Sequence, residues 1–155
     1  MRLSPHFSLE EFTVSQEAVR LGINNDPPSV IVTNLQRLCL LVLEPLRDTL
    51  KAPLIVSSGY RCPELNRRIN GAPGSAHMFG LAADIVCPGA SARDICTAIV
   101  TLGLPFDQVI DEFSSWCHVS IVPENMGKKP RREVLEARRG GNGRTVYQAI
   151  KLGRQ

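Results

Sequence analysis

The sequence lacks the features that would place it in several large classes of protein. Its 18 basic and 15 acidic residues leave a formal net charge of only +3 at pH 7, and so small an excess does not by itself indicate nucleic acid binding. The segment Met1–Phe7 contains no apolar run typical of a secretion signal, and we expect no later segment of membrane-spanning length. We therefore predict a protein made in the cytoplasm, with no nucleic acid partner and no insertion into a membrane.

Cysteine is present without the pattern of a disulfide framework. The five cysteines are odd in number, scattered along the chain and mostly embedded in apolar runs. This distribution favours reduced thiols within a core. Cys117 directly precedes a histidine, but neighbouring residues of a strand point to opposite faces of a sheet. We therefore predict that Cys117 faces the core and does not bind a metal.

Length and composition indicate one globular domain. A chain of 155 residues, with 43% hydrophobic and 21% charged residues, is long enough to bury a core without staples. No internal repeat appears, so we treat residues 1–155 as a single domain. After Pro123 the chain becomes basic and poor in core residues, which predicts a solvated, flexible segment over about 124–144. Residues 145–150 then add a last strand or turn.

Helix and strand signals alternate along the remainder of the chain. Ser8 opens a capping box for a short helix, whose predicted buried residues include Val19. A long helix over about 29–50 carries an apolar stripe at three- and four-residue spacing, and Pro45 is expected to bend or interrupt it near Leu41. Two further helices and four strands are predicted, the helices at 62–69 and 91–103 and the strands at 53–58, 81–86, 106–113 and 116–122.

Three residues form a candidate metal site. His77 and Asp84 lie in the run Ser75–Asp84, and His118 lies in the short alternating segment Ser115–Ser120. Two imidazoles and one carboxylate, with no fourth protein ligand evident, are what a catalytic zinc site needs, because the open position takes water. Structural zinc sites usually close with four ligands. The pattern therefore predicts Zn²⁺ bound for catalysis.

The same residues carry a resemblance to a known family. Ser57-Ser-Gly-Tyr-Arg61, then Ser75-x-His77-x-x-Gly80-x-Ala82-x-Asp84, then Trp116-x-His118 resemble the zinc peptidases of the D-alanyl-D-alanine carboxypeptidase type, peptidase M15. The chain is most similar to the short phage and prophage members, from about Phe7 to about Val146.

The resemblance implies a fold, a substrate and a set of site residues. The expected fold is α+β, with helices packed against a small, mainly antiparallel sheet that carries a zinc site, as in Hedgehog domains and D-alanyl-D-alanine peptidases. His77, Asp84 and His118 would bind Zn²⁺, Arg61 would stabilise charge on the attacked peptide, and Ser75, Arg61 and Tyr60 would contact the substrate. The implied partner is the peptide stem of bacterial peptidoglycan, and we expect a monomer.

The candidate general base is identified from strand geometry and not from its position in the family motif. Alternation places Glu112 on one face of the hairpin with His118, so Glu112 is the first choice, and Asp111 stays open as the second. In several members of the family the acid stands three residues before the final histidine. In this sequence that position is Ser115, which cannot serve as a base.

Three functions remain open at this point. The first is an endolysin that waits in the host cytoplasm and cuts the stem or cross-link peptides of the wall after release. The second is a D-alanyl-D-alanine carboxypeptidase or dipeptidase. The third is a zinc-containing module that binds the wall without catalysis, since in Hedgehog-type domains the known role of the same arrangement is binding.

Overall fold

In a computed structural model that describes residues 1–153, the chain folds into the predicted α+β architecture. The last two residues of the predicted domain lie outside this range. The structure has six α-helices, named in chain order: α1 (Leu9–Thr13), α2 (Gln16–Leu21), α3 (Ser29–Leu38), α4 (Glu44–Leu50), α5 (Pro63–Arg68) and α6 (Ala92–Thr101). It has six strands: β1 (Ile55–Ser58), β2 (Ala82–Val86), β3 (Gln108–Glu112), β4 (Trp116–Ser120), β5 (Glu133–Arg139) and β6 (Thr145–Ala149).

The N-terminal helix begins as predicted but ends early. The capping box of Ser8 and Glu11 is present, and Ser15 caps α2 by accepting a hydrogen bond from the Ala18 N–H. Val14 and Ser15 interrupt the helix, so the spacing that buries Phe12 does not continue to Val19. Val19 is consequently 82% exposed, so its predicted burial is wrong.

The long helix is continuous in space over Ser29–Leu50 but changes character at its centre. A π-helical segment, Cys39–Leu43, joins α3 to α4. Pro45 has no N–H to donate to the Leu41 carbonyl, and the wider turn accommodates this loss. The predicted interruption near Leu41 is thereby confirmed.

This helix is also longer and more apolar than we expected of any segment. Its 22 residues have a mean hydropathy of 1.4, enough to cross a membrane by length and composition alone. Our expectation that no segment reaches that length is therefore wrong. In the fold the helix supplies core residues, and its fully buried side chains are Leu35, Leu38, Cys39, Val42, Leu43 and Leu46.

A single six-stranded sheet carries the site, in the order β1-β2-β4-β3-β5-β6. Four of its five strand pairs are antiparallel, and β3 pairs with β5 in parallel. The sheet is therefore mainly antiparallel, as predicted, but mixed. One face packs against the helices through residues such as Ile85, Val109 and Val119. The opposite face is left open along a broad cleft.

Part of the basic C-terminal segment forms a strand, which its composition does not predict. Residues Glu133–Arg139 form β5, an interior strand between β3 and β6. Val134 and Ala137 are buried on its two faces, and Arg131 next to the strand forms an ion pair with Asp107 at 2.7 Å. Long-range pairing and burial of these few apolar side chains outweigh the polar composition of the segment. The predicted flexible segment is therefore wrong for residues 133–139, and for 124–132 and 140–144 it stays a prediction.

Candidate metal centre

The strand register brings two of the three predicted metal ligands together on the open face. Asp84 of β2 lies directly opposite His118 of β4, and His118 lies opposite Ile110 of β3. Directly opposite residues of paired strands point to the same face of the sheet. Asp84 and His118 consequently project side by side into the cleft, and Nδ1 of His118 is 2.9 Å from Oδ1 of Asp84.

The third predicted ligand comes from a short 3-10 helix, Ala76–Phe79, that lies against the end of the sheet. Ser75 caps this helix by accepting a hydrogen bond from the His77 N–H at 3.4 Å. Gly80 ends it with a φ of 66°, and a Cβ atom added there would lie only 2.7 Å from Ile31 Cγ2. Glycine is therefore needed at position 80 so that the turn can pack against α3. This packing holds His77 close to Asp84.

The ligand atoms of His77, Asp84 and His118 converge on one point. All three lie within 4.8 Å of one another, and Nε2 of His77 is 3.3 Å from Oδ1 of Asp84. Zinc bonds to nitrogen and oxygen of about 2.0–2.2 Å place adjacent ligand atoms of a tetrahedron about 3.4 Å apart. The three side chains thus fit a zinc ion with one position left open.

The hydrogen bonding of His77 gives a second reason to expect a cation. Nδ1 of His77 lies 2.7 Å from the Gly59 carbonyl oxygen, which can only accept, so Nδ1 carries the hydrogen. In the neutral ring Nε2 then presents a lone pair to the Asp84 carboxylate, and two acceptors face each other. Burial lowers the pKa of His77, which disfavours a proton on Nε2 between the ring and the carboxylate. A metal ion resolves the conflict, and the Gly59 carbonyl fixes the orientation of the ligand.

The carboxylate of the site is held ionised. Burial alone would raise the pKa of Asp84, but its interactions with the two histidines, above all the hydrogen bond with His118, outweigh burial and keep that pKa well below the usual range. Metal ligands must be deprotonated to bind. Asp84 therefore meets this condition across the ordinary pH range.

Arg61 enters the cleft beside the three ligands. Its guanidinium donates to the Ser75 hydroxyl at 3.2 Å, and burial lowers its pKa while the charge of Asp84 opposes that shift. The buried Nε atom of Arg61 has no hydrogen-bond partner within residues 1–153. Because Arg61 also lines the cleft, its guanidinium can donate to a carbonyl or carboxylate oxygen of a bound molecule.

The two candidate bases point to opposite faces of β3. Glu112 lies opposite Trp116 and lines the cleft with His118. Burial, with the charge of Asp84 adding to it, raises the pKa of Glu112, although His118 acts in the opposite direction. Asp111 is buried on the helix side, where Arg93 donates to it at 2.7 Å. The structure thus places Glu112, and not Asp111, beside the metal ligands.

The comparison with known families agrees with this geometry. The sequence profile described as Peptidase M15 matches residues 5–120, about three quarters of the chain.

The chain belongs to the peptidase M15 family. It is accordingly a hydrolase of the metallopeptidase type, and such peptidases are generally zinc-dependent. A comparison with curated proteins gives no match. The matched region includes all three candidate metal ligands, Arg61 and Glu112, and it ends before β5 and β6.

One predicted substrate contact in this M15 peptidase lies elsewhere. Tyr60 is buried among the core residues, and its side chain does not appear among those that line the cleft. Its N–H donates to the Phe12 carbonyl at 2.6 Å, which ties the strand end to α1. Tyr60 therefore positions the neighbouring loop and is not placed to touch a substrate. Ser75, by contrast, both caps the 3-10 helix and lines the cleft.

Two supporting residues escaped sequence reasoning. Asn25 is buried, and its amide donates to the carbonyls of Thr13 and Tyr60 while its side-chain oxygen accepts from the Cys62 N–H. These bonds clamp the backbone on both sides of Arg61. The Gly59 carbonyl that orients His77 is the second. Neither produces a sequence signal, because each acts through contacts between residues distant in the chain.

Cys117 behaves as predicted. It is fully buried on the helix side of β4, with its sulfur 3.1 Å from that of Cys96. All five cysteines are free thiols. Cys117 is therefore a core residue, directed away from the metal ligands.

Proposed function

We propose that this M15 peptidase hydrolyses peptide bonds in the stem or cross-link peptides of bacterial peptidoglycan with Zn²⁺ as cofactor. The observation that carries the proposal is the convergence of two imidazoles and one carboxylate within 4.8 Å, on the floor of a cleft that Glu112 and Arg61 also line. Three ligands, a base and a cationic donor around one open position are the components of metal-assisted hydrolysis.

Each side chain has one role in this scheme. Zinc held by His77, Asp84 and His118 would lower the pKa of a bound water toward about 7 and polarise the peptide carbonyl. Glu112 would accept the proton of the attacking water as the new C–O bond forms, and would then deliver it to the leaving nitrogen as the C–N bond breaks. Arg61 donates to the carbonyl oxygen as negative charge develops there.

The dimensions of the cleft favour a substrate longer than a dipeptide. The cleft encloses about 1370 Å³, above the roughly 300–1,000 Å³ of a typical small-molecule site. It is open toward solvent, and residues as far apart in the sheet as Asp84 of β2 and Tyr147 of β6 line it. This shape supports an endopeptidase over a carboxypeptidase or dipeptidase that releases terminal D-alanine.

The biological setting belongs to the same proposal. The resemblance to short phage and prophage members supports a monomeric endolysin that stays in the cytoplasm of the producing cell and reaches the wall after release. A simple assay tests this setting. Suspensions of outer-membrane-permeabilised bacteria should clear when the protein is added and should stay turbid when a chelator is present. Binding to the wall without clearing in either condition would instead indicate a non-catalytic module.

The decisive experiment identifies the bond. Purified muropeptides are digested with the zinc-supplemented protein, and the products are analysed by mass spectrometry with and without a chelator. Each candidate bond, D-alanyl to diaminopimelate, L-alanyl to D-glutamate or terminal D-alanyl-D-alanine, leaves a different pair of fragments. Chelator-sensitive internal cleavage is expected. Intact muropeptides after prolonged digestion with added zinc would refute the proposal.

A further inference from the structure

The wall of the cleft farthest from Arg61 is built by a part of the chain outside the family match. The match ends at residue 120, whereas β5 and β6 span residues 133–149. The two strands pair antiparallel and extend the sheet beyond β3. They therefore enlarge the open face with side chains for which the family match gives no role.

The register fixes which of these side chains reach the site face. Glu112 of β3 pairs with Ala137 of β5, and Ala137 pairs with Tyr147 of β6. Trp116 completes the row on the far side of Glu112. Residues paired in this way share a face, so the row Trp116, Glu112, Ala137 and Tyr147 lies across the open side of the sheet. Two strand spacings separate the backbones of Glu112 and Tyr147, about 10 Å.

Between Glu112 and Tyr147 stands only a small residue. Ala137 is 3% exposed although it lies on the cleft side, so larger neighbours cover it. Tyr147 itself remains 55% exposed and lines the cleft together with Leu135. A half-exposed aromatic ring with a polar tip, standing over an apolar floor beside the base, is a typical ligand-contacting arrangement.

The electrostatic surroundings of Tyr147 agree with this placement. Burial raises the pKa of Tyr147, and the charges of Glu112 and Asp84 raise it further. The hydroxyl group therefore keeps its hydrogen at neutral pH and remains a hydrogen-bond donor. A donor at this end of the cleft complements Arg61 at the other end.

From this geometry we infer that Tyr147 is a substrate-binding residue, whose hydroxyl donates a hydrogen bond to a peptide carbonyl of the substrate segment that lies over Leu135. Its ring packs on the aliphatic part of the same segment. The substrate would then contact the protein on both sides of the hydrolysed bond, through Arg61 on one side and the β5–β6 hairpin on the other. This role rests on the proposed function, because it concerns the same cleft and the same peptide substrate.

Conservative variants separate the hydroxyl from the ring. Tyr147→Phe removes only the hydroxyl and should raise KM about 2- to 13-fold, the effect of one hydrogen bond, with kcat nearly unchanged. Tyr147→Ala also removes the ring and should raise KM by on the order of 10- to 100-fold. Val146→Ala is the matched control, because Val146 neighbours Tyr147 in β6 but points to the opposite face. It should leave both constants near those of the unsubstituted protein.

The measurement combines turnover with binding. Kinetic constants are obtained on a muropeptide that the unsubstituted protein cleaves, and the Kd of the same peptide is measured by calorimetry in a Glu112→Gln background that leaves it intact. Tyr147→Phe should weaken Kd by the same factor as KM. Equal KM and Kd for Tyr147→Phe and the unsubstituted protein would overturn the role of Tyr147 alone, and so would a fall in kcat at constant KM. An unsubstituted protein that neither cleaves nor binds muropeptides would overturn the proposed function and this role together. The phenylalanine variant keeps the test valid if Tyr147→Ala fails to fold.

Discussion

Substitution of the two adjacent acids of β3 should separate catalysis from stability. Glu112 points into the cleft and Asp111 points toward the helices, where Arg93 and the Ser114 N–H donate to it. We predict that Glu112→Gln removes activity without unfolding the protein. Asp111→Asn should instead lower stability and leave the activity of the folded molecules intact.

The size of each effect follows from the surroundings of the side chain. A placed general base contributes about 10²- to 10⁴-fold to a rate, so Glu112→Gln should lower kcat by that factor, which is about 3–5 kcal/mol in the barrier. Asp111→Asn weakens one charge-assisted bond with Arg93. That guanidinium is 44% exposed and keeps its second partner Glu136 at 2.7 Å. The loss is therefore about 1–3 kcal/mol and below the 3–5 kcal/mol of a stranded buried charge.

Two assays distinguish the variants. Thermal unfolding should show a decrease in Tm of about 2–12 °C for Asp111→Asn and no decrease for Glu112→Gln. Turnover of muropeptides, corrected for the folded fraction, should show the reverse order, and zinc content should be equal in both. Near-normal turnover by Glu112→Gln would refute the assignment of the base. Loss of turnover in folded, zinc-loaded Asp111→Asn would refute the assignment of the two faces.

Three further predictions concern the metal, the turn and the pH dependence. Zinc at about 100 times its Kd should stabilise the protein by about 2.7 kcal/mol and so raise its Tm. His118→Ala should abolish this rise. An equal rise in the variant would show that zinc binds elsewhere. Gly80→Ala should destabilise by about 2–5 kcal/mol, from a left-handed φ and from contacts of 2.7 and 2.8 Å with Ile31. Gly74 has a similar φ and open space around it, so Gly74→Ala should lower the free energy of unfolding by only about 1–2 kcal/mol. Equal losses in the two variants would show that the contacts with Ile31 do not contribute. In the metal-free protein, Glu112→Gln should raise Tm at pH 7 but not at pH 4. Burial raises the pKa of Glu112, so the penalty for its ionised form is present at neutral pH and disappears below about 4.3, the pKa of an unfolded glutamate. A difference that persists at pH 4 would contradict this cause.

Much of the metal site was predictable because its signals are local. His77 and Asp84 lie within one ten-residue run, and strand alternation assigns His118 and Glu112 to one face of a hairpin. The capping box at Ser8 and the break before Pro45 are local in the same sense. Each depends on backbone geometry over a few neighbouring residues, and the sequence specifies that geometry directly.

The long-range contacts were decided only by the tertiary structure. Strand β5 pairs in parallel with β3, a partner about 25 residues earlier, and its mixed charged composition hides the burial of Val134 and Ala137. Tyr60 carries a polar tip that suits a binding site, yet it packs into the core beside α1.

The bond between Asp111 and Arg93 and the clamp of Asn25 around Arg61 likewise depend on elements distant in sequence. The sequence by itself therefore predicted the chemistry of the site, namely which three side chains could bind a metal ion. Tertiary packing decided which side chains line the cleft, because burial and non-local strand pairing depend on partners that no short stretch of sequence contains.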